Sequence, residues 1–431
     1  MPETSHTPSV FFELIQLSVG VRRGLSRVPS ADDWHRLYGM ASKHALLGVC
    51  FLGVKAVKSQ GISVPAPLYM QWLAAAAGIQ QRNEMLNRRC REVQEMAERD
   101  GFRSCVLKGQ GNTMYYDISD LALLRQPGDI DLWMEGGYSK IIGWVQRKAP
   151  TREVTCHHAH FHCFGDAEVE VHFCPSMLPN PFHDKVLQKY YGEQAERQFV
   201  NKVRLKTGEE IVAADTAFNI VFQLVHIHHH LITEGIGLRQ LMDYYFLLLN
   251  VGKEMKEEDR KKGNDKEKGQ DTEKWKDTER GKDGSNRNDT ERGKDTEREK
   301  EEFGMEEFGK NEFGNDEIMR SVAAVSELGL GRFASALMWV LGEVFGMKKE
   351  NMLWEADETD GRFLLDEIMQ SGNFGRQDTR QRNMYRSKWN SFWTIHFKTF
   401  RFRRFDRWAW LWSPLFRIRW KVWQMLNGYT N

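Results

Sequence analysis

Gly128-Asp129-Ile130-Asp131-Leu132-Trp133-Met134 alternates from Asp129 onward with a period of two. That is the period of a β-strand, in which residues two apart face the same way, roughly 6.5–7 Å apart along the chain. Asp129 and Asp131 then share one face. Two carboxylates so placed can hold one divalent ion between them and reach a second. A third is offered by Glu170, in the alternating run Glu168-Val-Glu-Val-His172. Two aspartates on one strand and one acid on a neighbour make a clamp for two cations. In such a clamp the ions sit ~3.5–4 Å apart and bind the entering and leaving oxygens of a phosphoryl transfer. Carboxylate and water ligands select Mg²⁺ or Mn²⁺ over zinc.

Working outward, Ser104-Cys-Val-Leu107 reads as a short buried strand, broken by Lys108-Gly109-Gln110-Gly111. A strand ending in Lys-Gly presents backbone N–H groups and one ammonium, a combination that suits a triphosphate. Arg125, in Leu124-Arg-Gln-Pro-Gly128, adds a second positive contact. Tyr138 to Lys148 reads as a helix, and Val154 to Cys163 alternates like a further strand. Residues 102–206 are therefore expected to form a small mixed α/β domain.

Residues 1–101 read as helical. Ser30 can cap a helix carrying Asp32 and Asp33 in its first turn, and a long helix over Leu68 to Arg99 ends at Asp100-Gly101. Helices return at about 211–231 and 236–250, within a region 207–251. The expected fold class is α+β: a small mixed β-sheet core flanked by N- and C-terminal helical regions, with a disordered insert.

The 431 residues carry 61 Lys+Arg against 60 Asp+Glu, a balance that hides unlike segments. Lys253 to Glu302 holds 16 basic and 18 acidic residues, with Met255 and Trp275 its only large apolar ones. Asp-Thr-Glu recurs there at 271, 277, 289 and 295, and Glu-Phe-Gly recurs at 302, 307 and 312. So little apolar surface cannot offset backbone ordering entropy, so 252–315 is expected to be a disordered charged insert. Interspersed Glu and Lys/Arg leave room for transient helix. A C-terminal helical region, 316–379, rejoins the body across it. The tail, 380–431, is the opposite case. Arg380 to Lys421 has 12 basic residues and one acid, and the tail carries seven of the fourteen tryptophans.

These segments exclude a uniformly basic nucleic-acid coat and leave open a local anionic partner for the tail. No apolar run approaches the ~20 residues a membrane-spanning helix needs. The start lacks the basic region of a signal peptide. Six cysteines stand without CxxC spacing. The expected setting is cytoplasmic and reducing, with peripheral membrane contact through the tail as one option.

The ordered set Leu107-Lys108-Gly109, Tyr115-Tyr116, Leu124-Arg125, Gly128-Asp-Ile-Asp-Leu132 and Val169-Glu-Val-His172 resembles an uncharacterised bacterial nucleotidyltransferase family of the DNA polymerase beta superfamily. Asp33-Trp34 through Ala41 and His44, and Gly237-Leu-Arg239 through Asp243, are also similar to it. The likeness covers about residues 30–250. One departure is Gly109-Gln110, where the superfamily has Gly-Ser, so the usual serine contact to phosphate is missing. The resemblance implies a Mg²⁺-dependent enzyme that moves a nucleoside monophosphate from an NTP, ATP among them, to a hydroxyl of a small molecule, sugar or protein. Asp129, Asp131 and Glu170 would be the catalytic and metal residues, with Glu170 helping to activate the hydroxyl. Lys108, Gly109, Gln110 and Arg125 would bind the nucleotide. Two alternatives stand beside it: a non-catalytic nucleotide-binding or assembly protein that keeps the fold, and a nucleic-acid end-modifying enzyme.

Other residues admit more than one reading. His158, His160 and His162 share a strand face, so a transition-metal site is conceivable. His226, His228, His229 and His230 are read as polar positions turned to a cleft or to solvent. His172 positions Glu170 or a substrate, or is a satisfied structural histidine. Asp243 pairs with Arg239 one helical turn away, or the two contact nucleotide. The Arg/Trp tail suits membrane headgroups or single-stranded nucleic acid, or packs its tryptophans on the body.

Overall fold

The protein is described by a computed structural model over residues 7–118, 120–279, 315–375 and 388–429. Four helices open it: α1 (Thr7–Ser18), α2 (Ala31–Lys43), α3 (Leu47–Ser59) and α4 (Ala66–Arg99). The sequence sets the start of α2. The Ser30 side chain accepts from the Asp33 amide while the Asp33 carboxylate accepts from the Ser30 amide, a reciprocal capping box. Gly101, with φ +81°, turns the chain out of α4.

The central region follows as β1 (Ser104–Val106), α5 (Leu121–Leu124), β2 (Ile130–Met134), α6 (Gly137–Lys148), β3 (His158–His160), β4 (Val169–His172), α7 (Pro181–Gln198), β5 (Lys202–Arg204) and β6 (Glu210–Val212). A 3₁₀ turn at Gly111–Tyr115 lies between β1 and α5. Four strands form one sheet in the order β1-β2-β4-β3. β2 is antiparallel to β1 and parallel to β4, and β3 is antiparallel to β4.

The helices α8 (Thr216–Thr233), α9 (Leu238–Glu279), α10 (Asn315–Glu327), α11 (Gly331–Phe345), α12 (Glu358–Ser371), α13 (Lys388–Arg401) and α14 (Ala409–Leu426) complete the chain. The expected α+β class, with a small mixed sheet and helical flanks, is what the fold shows. Among the described residues, no single helix is long and apolar enough to cross a membrane.

Three boundaries differ from expectation. The strand expected over Val154 to Cys163 is only His158–His160. Thr155 Oγ1 accepts from the amides of His157 and His158 (3.4 and 3.2 Å), folding the chain back so that Val154 bridges Ala159. The helix expected from 211 begins at Thr216, capped by Asp215, because residues 202–212 form the hairpin β5–β6 around Gly208 at φ +99°. Finally, α9 passes the expected insert boundary at 252 and runs to Glu279. Its first turns beyond 252 are held by Met255 against the core and by Glu258 accepting from the Asn315 amide. Residues 280–314, the larger part of the expected insert, lie outside the described residues, as do 376–387.

The alternation of β2 explains where the site can form. Ile130, Leu132 and Met134 join Val169 and Val171 in a core against Leu86, Cys90 and Val93 of α4 and Ile141 and Trp144 of α6. The opposite face carries Asp131 and Trp133, and Trp133 packs on Phe199 and Phe218 (4.6 and 5.8 Å between ring centroids). One face of the sheet is therefore oil. The other, polar at Asp131, is apolar at Trp133, where Phe218 of α8 covers it.

Candidate active site

β2 and β4 pair in register so that Asp131 stands opposite Glu170 and Trp133 opposite His172. β3 adds His160 opposite Glu170 and His158 opposite His172. The pleat aims all of these at the polar face. Asp131, Glu170 and His172 each bring one ligand atom within 4.8 Å of the others. Asp129 precedes β2 and lines the cleft outside that tight group, close enough to Lys108 and Glu170 to act on their charge.

The electrostatics of the cluster follow from its contacts. Asp131 is 1% exposed, and burial alone would push its carboxyl up. Lys108 Nζ, 3.1 Å from Oδ1, and His172 Nε2, donating to the same oxygen at 3.0 Å, bring it down instead. His172 Nδ1 lies 3.2 Å from the Pro175 carbonyl oxygen. With an acceptor at each nitrogen the ring is best satisfied as imidazolium. Burial opposes that form, and the Asp131 and Glu170 carboxylates overcome it, raising the pKa to about 9. Glu170 is lowered to about 2: burial raises it, while His172, His158 and Lys108 bring it down. Lys108 is raised despite burial, because Asp129, Asp131 and Glu170 surround it.

Asp131 Oδ2 is buried and accepts no hydrogen bond. A buried carboxylate oxygen left open beside a second carboxylate is costly unless a cation meets it. The donor set of Asp131, Glu170 and the nearby Asp129 suits a hard divalent ion. The residues present therefore fit the metal that the sequence reading calls for.

Beside the acids lies a cleft open to solvent, lined among others by Lys108, Gly109, Asp129, His226, Arg239 and Phe374. Gly109 takes φ +63°, which lets the chain reverse after β1. Three amides of that turn, those of Gly111, Asn112 and Thr113, are engaged by the carbonyls of Lys108, Gly109 and Gln110.

The chain matches a family model described as an uncharacterised nucleotidyltransferase over residues 30–261. It belongs to that family. No curated protein and no solved structure matches it. The matched family span runs from the capping box of α2 through the whole sheet and α8 into α9, so it contains the acid cluster and the cleft lining except Phe374. The tail helices lie outside it.

Within this family core, several expected residues sit elsewhere than expected. Gln110, assigned to nucleotide, is buried and donates to Asn87 Oδ1 of α4 (2.5 Å). It is not among the residues lining the cleft. Arg125 borders the cleft, but its guanidinium grips Asp243 through Nε (2.7 Å) and Nη2 (2.6 Å). Tyr116 Oη closes the same carboxylate at 2.5 Å. Asp243 thus pairs with Arg125 and not with Arg239. His226 lines the cleft, but His228 points into the core, 5.1 Å from the Phe333 ring. His158 and His160 do converge on Glu170, at 3.6 and 3.8 Å, while His162 reaches Glu153 instead.

Arg239 is what the sequence reading underweighted. Its Nη1 reaches the Gln126 and Pro127 carbonyls at 3.2 and 3.4 Å, and its buried Nε has no partner. Burial and the nearby Arg125 lower its pKa to about 10, so it is still a cation at neutral pH. A legible signal existed in α8. Asn219, Gln223 and His226 form a polar i, i+4, i+7 stripe in the otherwise apolar stretch from Ala217 to Ile227. Two of them meet the 3₁₀ turn, Asn219 at Tyr115 Oη (2.9 Å) and Gln223 at Asn112 Oδ1 (2.9 Å).

Proposed function

We propose that the protein is a Mg²⁺-dependent nucleotidyltransferase that moves a nucleoside monophosphate from an NTP to a hydroxyl acceptor and releases pyrophosphate. The reading rests above all on the open Oδ2 of Asp131, buried beside Glu170 and next to Lys108, the lysine that also lines the cleft. Lys108 and Arg239 supply positive charge on the cleft wall, where a polyphosphate brings negative charge. Asp131 and Glu170, with Asp129, would hold the divalent ion, whose chemistry is to offset charge on the reacting phosphate oxygens. His172 is a positioning residue: its bond to Oδ1 leaves Oδ2 as the available ligand atom. Glu170, whose carboxyl is held down by His172, His158 and Lys108 against its burial, contributes charge and orientation beside the ion.

The test is incubation of the purified chain with each labelled NTP and Mg²⁺, with and without cell lysate, scoring pyrophosphate and labelled products. Pyrophosphate release that disappears in Asp131→Asn supports the assignment. Failure of every NTP to bind in the presence of Mg²⁺ would instead favour a non-catalytic binding or assembly protein.

A further inference from the structure

The tail helices present a surface that the candidate active site does not use. One side of α14 is docked. Gln424 Nε2 donates to the Val154 carbonyl oxygen (2.6 Å), and Trp423 packs edge-on against Tyr138 (5.5 Å). The other side is apolar and bare: Leu411, Leu415, Ile418, Val422 and Met425 are each more than 40% exposed. Their spacing of four, three, four and three residues keeps them on one stripe, since a helix turns about 100° per residue. Leu426 widens the stripe. On the same wheel Arg419 falls on one shoulder of it and Lys421 on the other, both exposed. α13, packed against α14, repeats the pattern with Trp393, Phe397 and Phe400 at i, i+4 and i+7, all exposed.

Soluble proteins rarely leave so long an apolar stripe uncovered. We propose that the α13–α14 face is a docking surface for an anionic lipid bilayer, with the stripe entering the headgroup–acyl boundary and the flanking cations meeting lipid phosphates. Charge complementarity selects this occupant. Arg403 and Arg407 are exposed in the turn before α14, and Arg419 and Lys421 on α14 itself. Arg401 and Arg404 are turned to Glu367 and Asp360 of α12, so the cations left outward are those nearest the stripe and the turn. Two copies meeting stripe to stripe would bring these like charges together, whereas an anionic bilayer accepts both the apolar stripe and the charge. Long arginine and lysine stems can lie along the apolar surface and lift their heads to the phosphates.

The experiment uses the full chain in co-sedimentation with phosphatidylcholine vesicles, with and without phosphatidylserine. Binding is expected with phosphatidylserine and to weaken as salt is raised. The triple variant Leu415→Glu, Ile418→Glu, Val422→Glu is expected to lower partitioning by at least about tenfold. Met425→Glu with Leu426→Glu, at the most exposed end, should lower it less and serves as the gentler variant. Arg419→Gln with Lys421→Gln should reduce the dependence on phosphatidylserine. Mg²⁺-dependent NTP binding should be unchanged in all of them, which separates this surface from the cleft. No sedimentation of the wild type with anionic vesicles would overturn the proposal. So would equal partitioning of the wild type and the glutamate variants. A stripe-dependent dimer by sedimentation equilibrium, or stripe-dependent capture of single-stranded RNA in place of vesicles, would overturn it in favour of that occupant.

Discussion

Arg125 with Asp243, and Lys108 with Asp131, are two buried cation–carboxylate pairs at the same cleft, and they are finished differently. In the first, both carboxylate oxygens are taken by the guanidinium fork, and Tyr116 closes what remains. In the second, Lys108 and His172 crowd one oxygen of Asp131 and leave the other open. Both carboxylates are buried beside a cation, so burial of the acid does not distinguish a structural ion pair from a functional one. What differs is the unfilled valence. A closed pair holds the cleft's shape, tying the loop after α5 to α9. An open one, kept ionised by its neighbours, leaves the oxygen that in the proposed function would meet the metal ion.

Asp243→Ala should give the largest effect, and in stability. It strands the Arg125 guanidinium in the interior, and breaking a buried pair from one side costs about 3–5 kcal/mol. The urea denaturation midpoint should fall steeply. An unchanged midpoint would show that the closed pair does not hold the wall. Asp131→Asn should act the other way, on function. Metal-dependent pyrophosphate release should fall by about 100-fold or more, the scale on which a charged group at the reacting centre counts. Its midpoint should move less than that of Asp243→Ala, because His172 can release its proton and Lys108 retains Asp129 and Glu170 nearby. If both variants lose stability equally and both lose activity, the distinction between open and closed pairs fails.

Arg239→Gln tests the cationic counterpart of the open oxygen. The guanidinium has only long bonds to two carbonyls and a buried Nε without a partner. Its loss should weaken NTP binding by about tenfold, equivalent to about 1.4 kcal/mol, with little change in the denaturation midpoint. Titration of the NTP by calorimetry in the presence of Mg²⁺ reads this directly. An unaltered Kd would remove Arg239 from the phosphate side of the cleft.

How much of this the sequence revealed depends on whether a feature is local. The period of two in β2 and β4 is local, and it gave Asp131 its strand face and put Glu170 and His172 on a shared face of theirs; the register that brings the two faces together, and the start of β2 after Asp129, are not local. The capping box of α2 is local as well. The partner of Asp243 is not: Arg239 at four residues' distance is the natural sequence-level choice, and the fold supplies Arg125 from 118 residues away. Gln110 turned to Asn87 for the same reason, since the packing of α4 cannot be seen from the Lys-Gly turn. The late start, at His158, of the strand expected over 154–163 came from one threonine hydroxyl capturing two amides, a competition that alternation alone does not report.

A third carboxylate sharpens the comparison by lacking a cation. Glu254 of α9 accepts from Thr216 Oγ1 (2.9 Å) and Asn250 Nδ2 (2.7 Å) on one oxygen, and its buried second oxygen has no partner. Like Asp131 it is half open. No cation offsets its burial, so desolvation raises its pKa to about 7, where Asp131 is lowered. Between its unfolded value near 4.5 and about pH 7 the folded chain holds a proton that the unfolded chain has released. Stability must then fall as pH rises through that window. The full shift would convert to about 3 kcal/mol, and the group's partial exposure reduces this to on the order of 1 kcal/mol. Glu254→Gln removes the titrating group, so the denaturation midpoint of the variant should decline less between pH 5 and about pH 7.5 than that of the wild type. Parallel declines in the two proteins would mean that Glu254 is ionised throughout, and that an open buried oxygen does not need a neighbouring cation to keep its charge.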